Sequence, residues 1–228
     1  MKPMRCAHAL VASLISGLLF AAPAVATTTI DLSDDGSRLT VQGDPRERNR
    51  IVLYDPTDDP GGQEFLISEY LTDLTSNTPA CDVEKQTFES GAVRWFASCE
   101  TSGLRGITLR TRGRNNFVRL QGPLPDVRRL RAELGSGEDQ IVGYRSLFPN
   151  TPIPLLLDGG TGDDELHGGS GPDLLIGGGG VDVLSAASGG DRVDAQDGEA
   201  DQFLHCGDGE DSIVLDAKLD PSPSGCES

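Results

Sequence analysis

Residues 159–194 read GGTGDDELH, GGSGPDLLI, GGGGVDVLS and AASGGDRVD, four nine-residue units in succession. Asp164, Asp173, Asp182 and Asp191 recur nine residues apart, at position six of each unit. Leu166, Leu175, Leu184 and Val193 follow two residues later in the same phase. A fixed period of this kind marks a structural unit that stacks on its neighbours. The three residues after each aspartate make a short strand, and the central aliphatic faces inward. Glycines at positions one, two and four are expected to take positive φ and turn the chain. Two units, 18 residues, then form one coil. Asp164 is therefore expected over Asp182, and Asp173 over Asp191. The expected fold is all-β, with a right-handed parallel β-roll or β-solenoid in the C-terminal half. An irregular β-rich capping region precedes it.

The charge follows the repeat. Residues 158–228 hold 17 Asp and Glu but only Arg192 and Lys218 as basic residues, a net of −15. They also hold 16 of the 29 glycines and a single aromatic, Phe203. In water alone such a composition reads as disordered. A disordered linker has no reason to keep aliphatics in phase with aspartates, and a metal-free roll would stack like charges with nothing to neutralise them. Counter-cations resolve both difficulties. Calcium takes six to eight hard oxygen ligands. The repeat offers the carboxylates of Asp164, Asp173, Asp182 and Asp191 with the turn glycines Gly160, Gly162, Gly169, Gly171, Gly178 and Gly180. No D-x-[DN]-x-[DN]-G run is present, which excludes an EF-hand.

This pattern resembles the nonapeptide repeat of the RTX, or hemolysin-type, calcium-binding proteins, over about residues 158–214. The resemblance implies a secreted protein that binds several calcium ions. Ala186 and Ala187 depart from it by replacing the first two glycines of the fourth unit. Two looser units carry Asp201 and Asp211, shifted by one residue.

A longer period precedes the repeat. Strand-like runs at Ile107–Leu109, Leu130–Ala132 and Leu155–Leu157 are each followed, nine residues after their first residue, by Asn116, Asp139 and Asp164. The spacings of 23 and 25 residues mark 104–157 as broader coils of the same kind. Asp139 is expected to stack on Asp164 and share an ion. Residues 27–103 are less regular, with strands expected at Ile51–Tyr54, Gln63–Ser68 and Val93–Ala97 and an acidic loop at 55–62. They are read as the capping region, and 215–228, with Cys226, as a C-terminal cap.

The chain opens on Lys2 and Arg5, an apolar run from Ala9 to Ala22, and Ala24-Val25-Ala26. That is the pattern of a secretory signal peptide over 1–26. Its removal takes the formal charge of the 228-residue chain from −17 to −19 and leaves Cys81, Cys99, Cys206 and Cys226. An even count in an oxidising compartment suggests two disulfides. Pairing Cys81 with Cys99 and Cys206 with Cys226 is the local choice among three connectivities. No CxxC spacing supports zinc. The expected location is extracellular, with no membrane span in the mature chain.

Function classes narrow accordingly. So acidic a chain does not bind nucleic acid without sequence preference. Residues 27–157 contain no histidine and one lysine, Lys85, which leaves little for acid–base catalysis. No G-x-S-x-G, H-E-x-x-H or phosphate-loop motif occurs. A non-catalytic calcium-binding protein is expected. The alternative is an adhesin, or an accessory protein for polysaccharide lyase or epimerase chemistry. One feature favours a polyanionic partner such as an acidic polysaccharide or cell-surface glycan. Arg105, Arg110, Arg112, Arg114, Arg119, Arg128, Arg129 and Arg131 lie within 27 residues, with Asp126 the only acid.

Overall fold

A computed structural model describes residues 27–54, 64–69, 73–100, 103–121, 127–143 and 153–227. The signal segment and the acidic loop at 55–62 lie outside the described residues. Among the described residues no helix is long and apolar enough to cross a membrane.

The fold is all-β, with two nine-stranded sheets and a small two-stranded one. From Gly106 onward the chain visits the two large sheets alternately. Gly106–Arg110, Arg129–Ser136, Leu155–Thr161, Leu174–Gly179, Arg192–Ala195 and Ser212–Leu215 are successive neighbours in the first sheet. Phe117–Gln121, Gln140–Gly143, Glu165–His167, Val183–Ser185 and Phe203–His205 are successive neighbours in the second. All these pairings are parallel.

The register follows from the hydrophobic phase, since slipping a strand by one residue would turn its whole apolar set outward. Leu109, Ala132, Leu157, Leu175 and Val193 stand in line in the first sheet. Val118, Ile141, Leu166, Leu184 and Leu204 do so in the second. Both columns belong to one continuous buried apolar cluster. Burying each leucine, isoleucine or valine of these columns contributes about 1.5–3 kcal/mol, so many short strands build the core, and among the described residues no aromatic side chain is fully buried in it. In the same sheet Ile107 pairs with Leu130, and Leu130 with Leu155.

Parallel pairing also begins well before residue 104. Arg38–Gln42 pairs with Gly106–Arg110, placing Val41 on Leu109, and Arg50–Tyr54 pairs with Phe117–Gln121, placing Ile51 on Val118. Between these two layers the chain makes an antiparallel excursion. Glu64–Glu69 and Cys81–Thr87 both flank Val93–Glu100. Cys81 and Cys99 are directly opposed in that ladder and are disulfide-bonded. Cys206 and Cys226 form the second bond, so both local pairings expected from the sequence are present.

The turns explain the glycine count. Gly178 has φ +99°, and a Cβ there would lie 2.0 Å from the carbonyl oxygen of Gly160 in the preceding coil. Gly179, one residue on, has open space around its Cα. Gly178→Ala is therefore expected to destabilise the protein by at least about 1–3 kcal/mol, and Gly179→Ala to change stability by under about 0.5 kcal/mol. Thermal denaturation of the two variants side by side checks this; equal effects would refute the stacking of the turns.

Candidate calcium site

In-phase aspartates on parallel coils bring each carboxylate to the backbone of the coil before it. Along one edge, Asp139 N–H donates to Asp164 Oδ1 at 2.7 Å, Asp164 N–H to Asp182 Oδ1 at 2.8 Å, and Asp182 N–H to Asp201 Oδ1 at 2.9 Å. Along the other edge, Leu155 N–H donates to Asp173 Oδ1, Asp173 N–H to Asp191 Oδ1 and Asp191 N–H to Asp211 Oδ1, at 2.7–2.8 Å. The pairs expected from the 18-residue period are thus brought together, and Asp139, Asp201 and Asp211 join the same columns. The later units are longer, with Asp201 19 residues after Asp182 and Asp211 20 after Asp191, yet the register of Leu184 with Leu204 and of Val193 with Ile213 is kept.

Each carboxylate has a second oxygen. The Oδ2 atoms of Asp139, Asp164, Asp191, Asp201 and Asp211 are buried and have no hydrogen-bond partner. Leaving such an atom unpaired is costly. Oδ2 of Asp173 differs, accepting from Gly169 N–H at 2.7 Å. The unpaired oxygen of Asp164 points into its turn. A Cβ on Gly159 would stand 2.4 Å from Asp164 Oδ2 and 2.6 Å from the Gly177 carbonyl oxygen of the next coil. A Cβ on Gly168 would meet the Ala186 carbonyl oxygen at 2.4 Å and Asp173 Oδ2 at 2.7 Å. A carboxylate oxygen and a main-chain oxygen from the next coil therefore converge on one point. A hard cation suits that donor set. Among the described residues no three His, Cys, Asp or Glu side chains converge for a metal, so carbonyl oxygens have to complete any coordination sphere.

The turn glycines behave in two ways. Gly160, Gly162, Gly178 and Gly180 have positive φ, and a Cβ on any of them would strike a carbonyl of the neighbouring coil. Gly169 and Gly171 do not have positive φ, and neither do the position-one glycines, contrary to the expectation that all three glycine positions turn this way. On one side their turn packs on Ile153–Leu155, where Gly171 is needed because a Cβ would lie 2.6 Å from the Ile153 carbonyl oxygen. Ala187 takes φ +80° without being glycine.

The columns extend past the aspartates at both ends. Asn116 receives Asn49 N–H at 3.0 Å and gives its own N–H to Asp139 Oδ1. Its side-chain amide also donates to Asp139 Oδ1, at 2.8 Å. At the other end Asp220 Oδ1 accepts from Asp201 N–H at 3.1 Å, and Glu227 Oε2 accepts from Asp211 N–H at 2.5 Å. Asp182, Asp201 and Asp220 are 19 residues apart, a spacing visible in the sequence. Glu227 stands two residues after Gly225 instead of four and breaks the pattern. The two repeat-region histidines make ordinary contacts: His167 with Glu165 at 2.7 Å and His205 with Ser224 Oγ at 2.9 Å.

Residues 158–193 match the family model of the RTX calcium-binding nonapeptide repeat, in four copies. The chain carries an RTX repeat. No curated protein and no solved structure matches it. The RTX region spans the two columns from Asp164 to Asp191, and Asp139, Asp201 and Asp211 continue them on either side.

Burial raises the carboxyl pKa values along the columns, to about 6 for Asp139, Asp182, Asp191 and Asp201, about 7 for Asp173 and about 8 for Asp164. At Asp164 the neighbouring Asp139 and Asp182 charges add to the effect. A raised pKa means that the folded, metal-free chain holds protons which the unfolded chain releases. The resulting stability is present in full below the ordinary carboxyl pKa of 3.8 and is lost as pH rises through about 6–8. In chelator, the melting temperature should therefore fall steadily from pH 4.5 to pH 8. A rise over that interval would contradict the burial of these groups.

Proposed function

We propose that this is a secreted, non-catalytic calcium-binding protein whose RTX region is a β-roll that calcium completes. The observation that carries the reading is the run of buried, unpaired Oδ2 atoms on Asp139, Asp164, Asp191, Asp201 and Asp211. Calcium would supply the positive charge and the oxygen affinity that those atoms lack. In this reading Asp164 with Asp182, and Asp173 with Asp191, hold ions between successive turns, helped by carbonyls of Gly160, Gly162, Gly169, Gly171, Gly178 and Gly180. Asp139, Asp201 and Asp211 extend the same columns. The coils from 104 to 157 and the β-rich region 27–103 then serve as the folded base on which the roll stacks, and 215–228 as its cap.

In the folded roll the hydrogen-bonding oxygens orient the carboxylates, and the glycine turns hold main-chain oxygens beside them. What remains unfavourable without metal is the stacked negative charge. Coupling of metal binding to folding follows. Calcium sites of extracellular modules fill at about 10⁻⁴–10⁻³ M, far above the level inside a cell. The roll would then stay extended before export and fold outside.

Circular dichroism of the mature chain tests the reading. The β-signal should rise as calcium reaches millimolar concentration and should not rise with magnesium, which prefers octahedral sites that keep several waters. Asp182→Asn should raise the calcium midpoint at least roughly tenfold, the loss typical of a partner to a metal ligand. No gain in β-signal with calcium would sink the proposal. Proton competition gives a further check with the opposite sign to the metal-free trend: the calcium-induced rise in melting temperature should be larger at pH 8 than at pH 5.

A further inference from the structure

The arginines that cluster in sequence separate in space. Arg112 and Arg114 stand in a turn with φ of 60° and 34°, and Arg119 lies over the Phe117 ring at 5.3 Å on the second sheet. Arg105 and Arg128 are exposed ahead of their strands. The other three face outward from the first sheet, where Arg38 joins them, 68 residues before its strand partner Gly106.

Register accounts for the gathering. Arg38 and Arg129 both pair with Gly106 across parallel strands, so two arginines flank a position without a side chain. With neighbouring strands about 4.8 Å apart, their backbones are roughly 10 Å apart. The next outward-facing row holds Thr40, Thr108 and Arg131, and the one after it Gln42, Arg110 and Glu133. Arg38, Thr40, Gly106, Thr108, Arg110, Arg129 and Arg131 line a shallow cleft of about 290 Å³ with Ile107. Glu133 accepts from Arg110 Nε at 3.0 Å and from Arg131 Nε at 2.7 Å, which fixes both guanidinium groups with one carboxylate. Among the described residues Arg38 and Arg129 have no ion-pair partner within 4.0 Å. Four guanidinium groups thus line the cleft, with the carboxylates of Asp31, Glu133 and Asp158 at its edges. The basic surface ends at Asp158, which pairs with Glu133 on the next strand.

We infer that this cleft binds a linear polysaccharide bearing carboxylate or sulfate groups. Guanidinium forks match planar or tetrahedral oxyanions, and the Thr40 and Thr108 hydroxyls can bond sugar hydroxyls between them. The lining has no aromatic ring on which nucleic-acid bases would stack and no exposed large apolar side chain that would enter a bilayer. The site does not involve the calcium columns.

The test is fluorescence anisotropy of labelled heparin with the full mature chain in calcium at 150 mM salt, with neutral dextran and single-stranded DNA as comparison probes. Heparin should bind and dextran should not. Arg38→Ala with Arg129→Ala should weaken heparin binding at least tenfold, while Arg112→Ala with Arg114→Ala should change it by less than twofold. The calcium response in circular dichroism should be the same in all three proteins, which keeps loss of fold apart from loss of the site. An equal loss in both double variants would reduce the effect to overall charge and overturn the proposal. So would the absence of heparin binding, or DNA binding as tight as heparin.

Discussion

The structure depends on a buried carboxylate that is only half satisfied. Each position-six aspartate accepts a backbone N–H from the preceding coil through Oδ1. That bond ties coil to coil at the turn, where the short strands end. The same placement takes the charge out of water, and in five aspartates leaves Oδ2 with no donor. Two remedies exist. A proton can neutralise the group, which is why burial carries Asp164 up to about 8. A cation can do the same at neutral pH and supply the missing partner.

The apolar side of the fold is arranged around this requirement. The core aliphatic follows two positions after each aspartate except Asp201, whose Leu204 follows three positions on, so one register serves both. A slip that moved Leu166 off Leu184 would also take Asp164 off Asp182. Stability and metal chemistry are therefore specified by the same pairing. The ends of the column show where the requirement stops. Asn49 and Asn116 occupy the same rung positions without charge, and the Asn116 amide donates directly to Asp139. The antiparallel excursion between residues 54 and 106 lies beyond that neutral end.

Much of this was legible in the sequence because the chemistry is periodic. The nine-residue phase gave the rungs Asp164 to Asp191, and the 23- and 25-residue spacings gave Asn116 and Asp139. The coil at 38–54 was hidden because the excursion separates Leu39 from its partner Ile107 by 68 residues, so no period survives. Asp220 was overlooked although its 19-residue spacing was visible; Glu227 carried no such signal, since a longer side chain from a different turn position does the same work. The arginine cleft was misread for a related reason. Sequence proximity grouped Arg112 and Arg114 with Arg110, whereas strand pairing groups Arg110 with Arg38, Arg129 and Arg131.

The central claim is that the unpaired oxygens of the two columns are metal ligands. Diffraction from crystals grown in calcium, with anomalous scattering used to identify the ion, tests it most directly. The account predicts calcium peaks between successive turns along both edges, in contact with Oδ2 of Asp164 and of Asp191. Peaks confined to surface carboxylates, with those oxygens bonded to water or to one another, would contradict it.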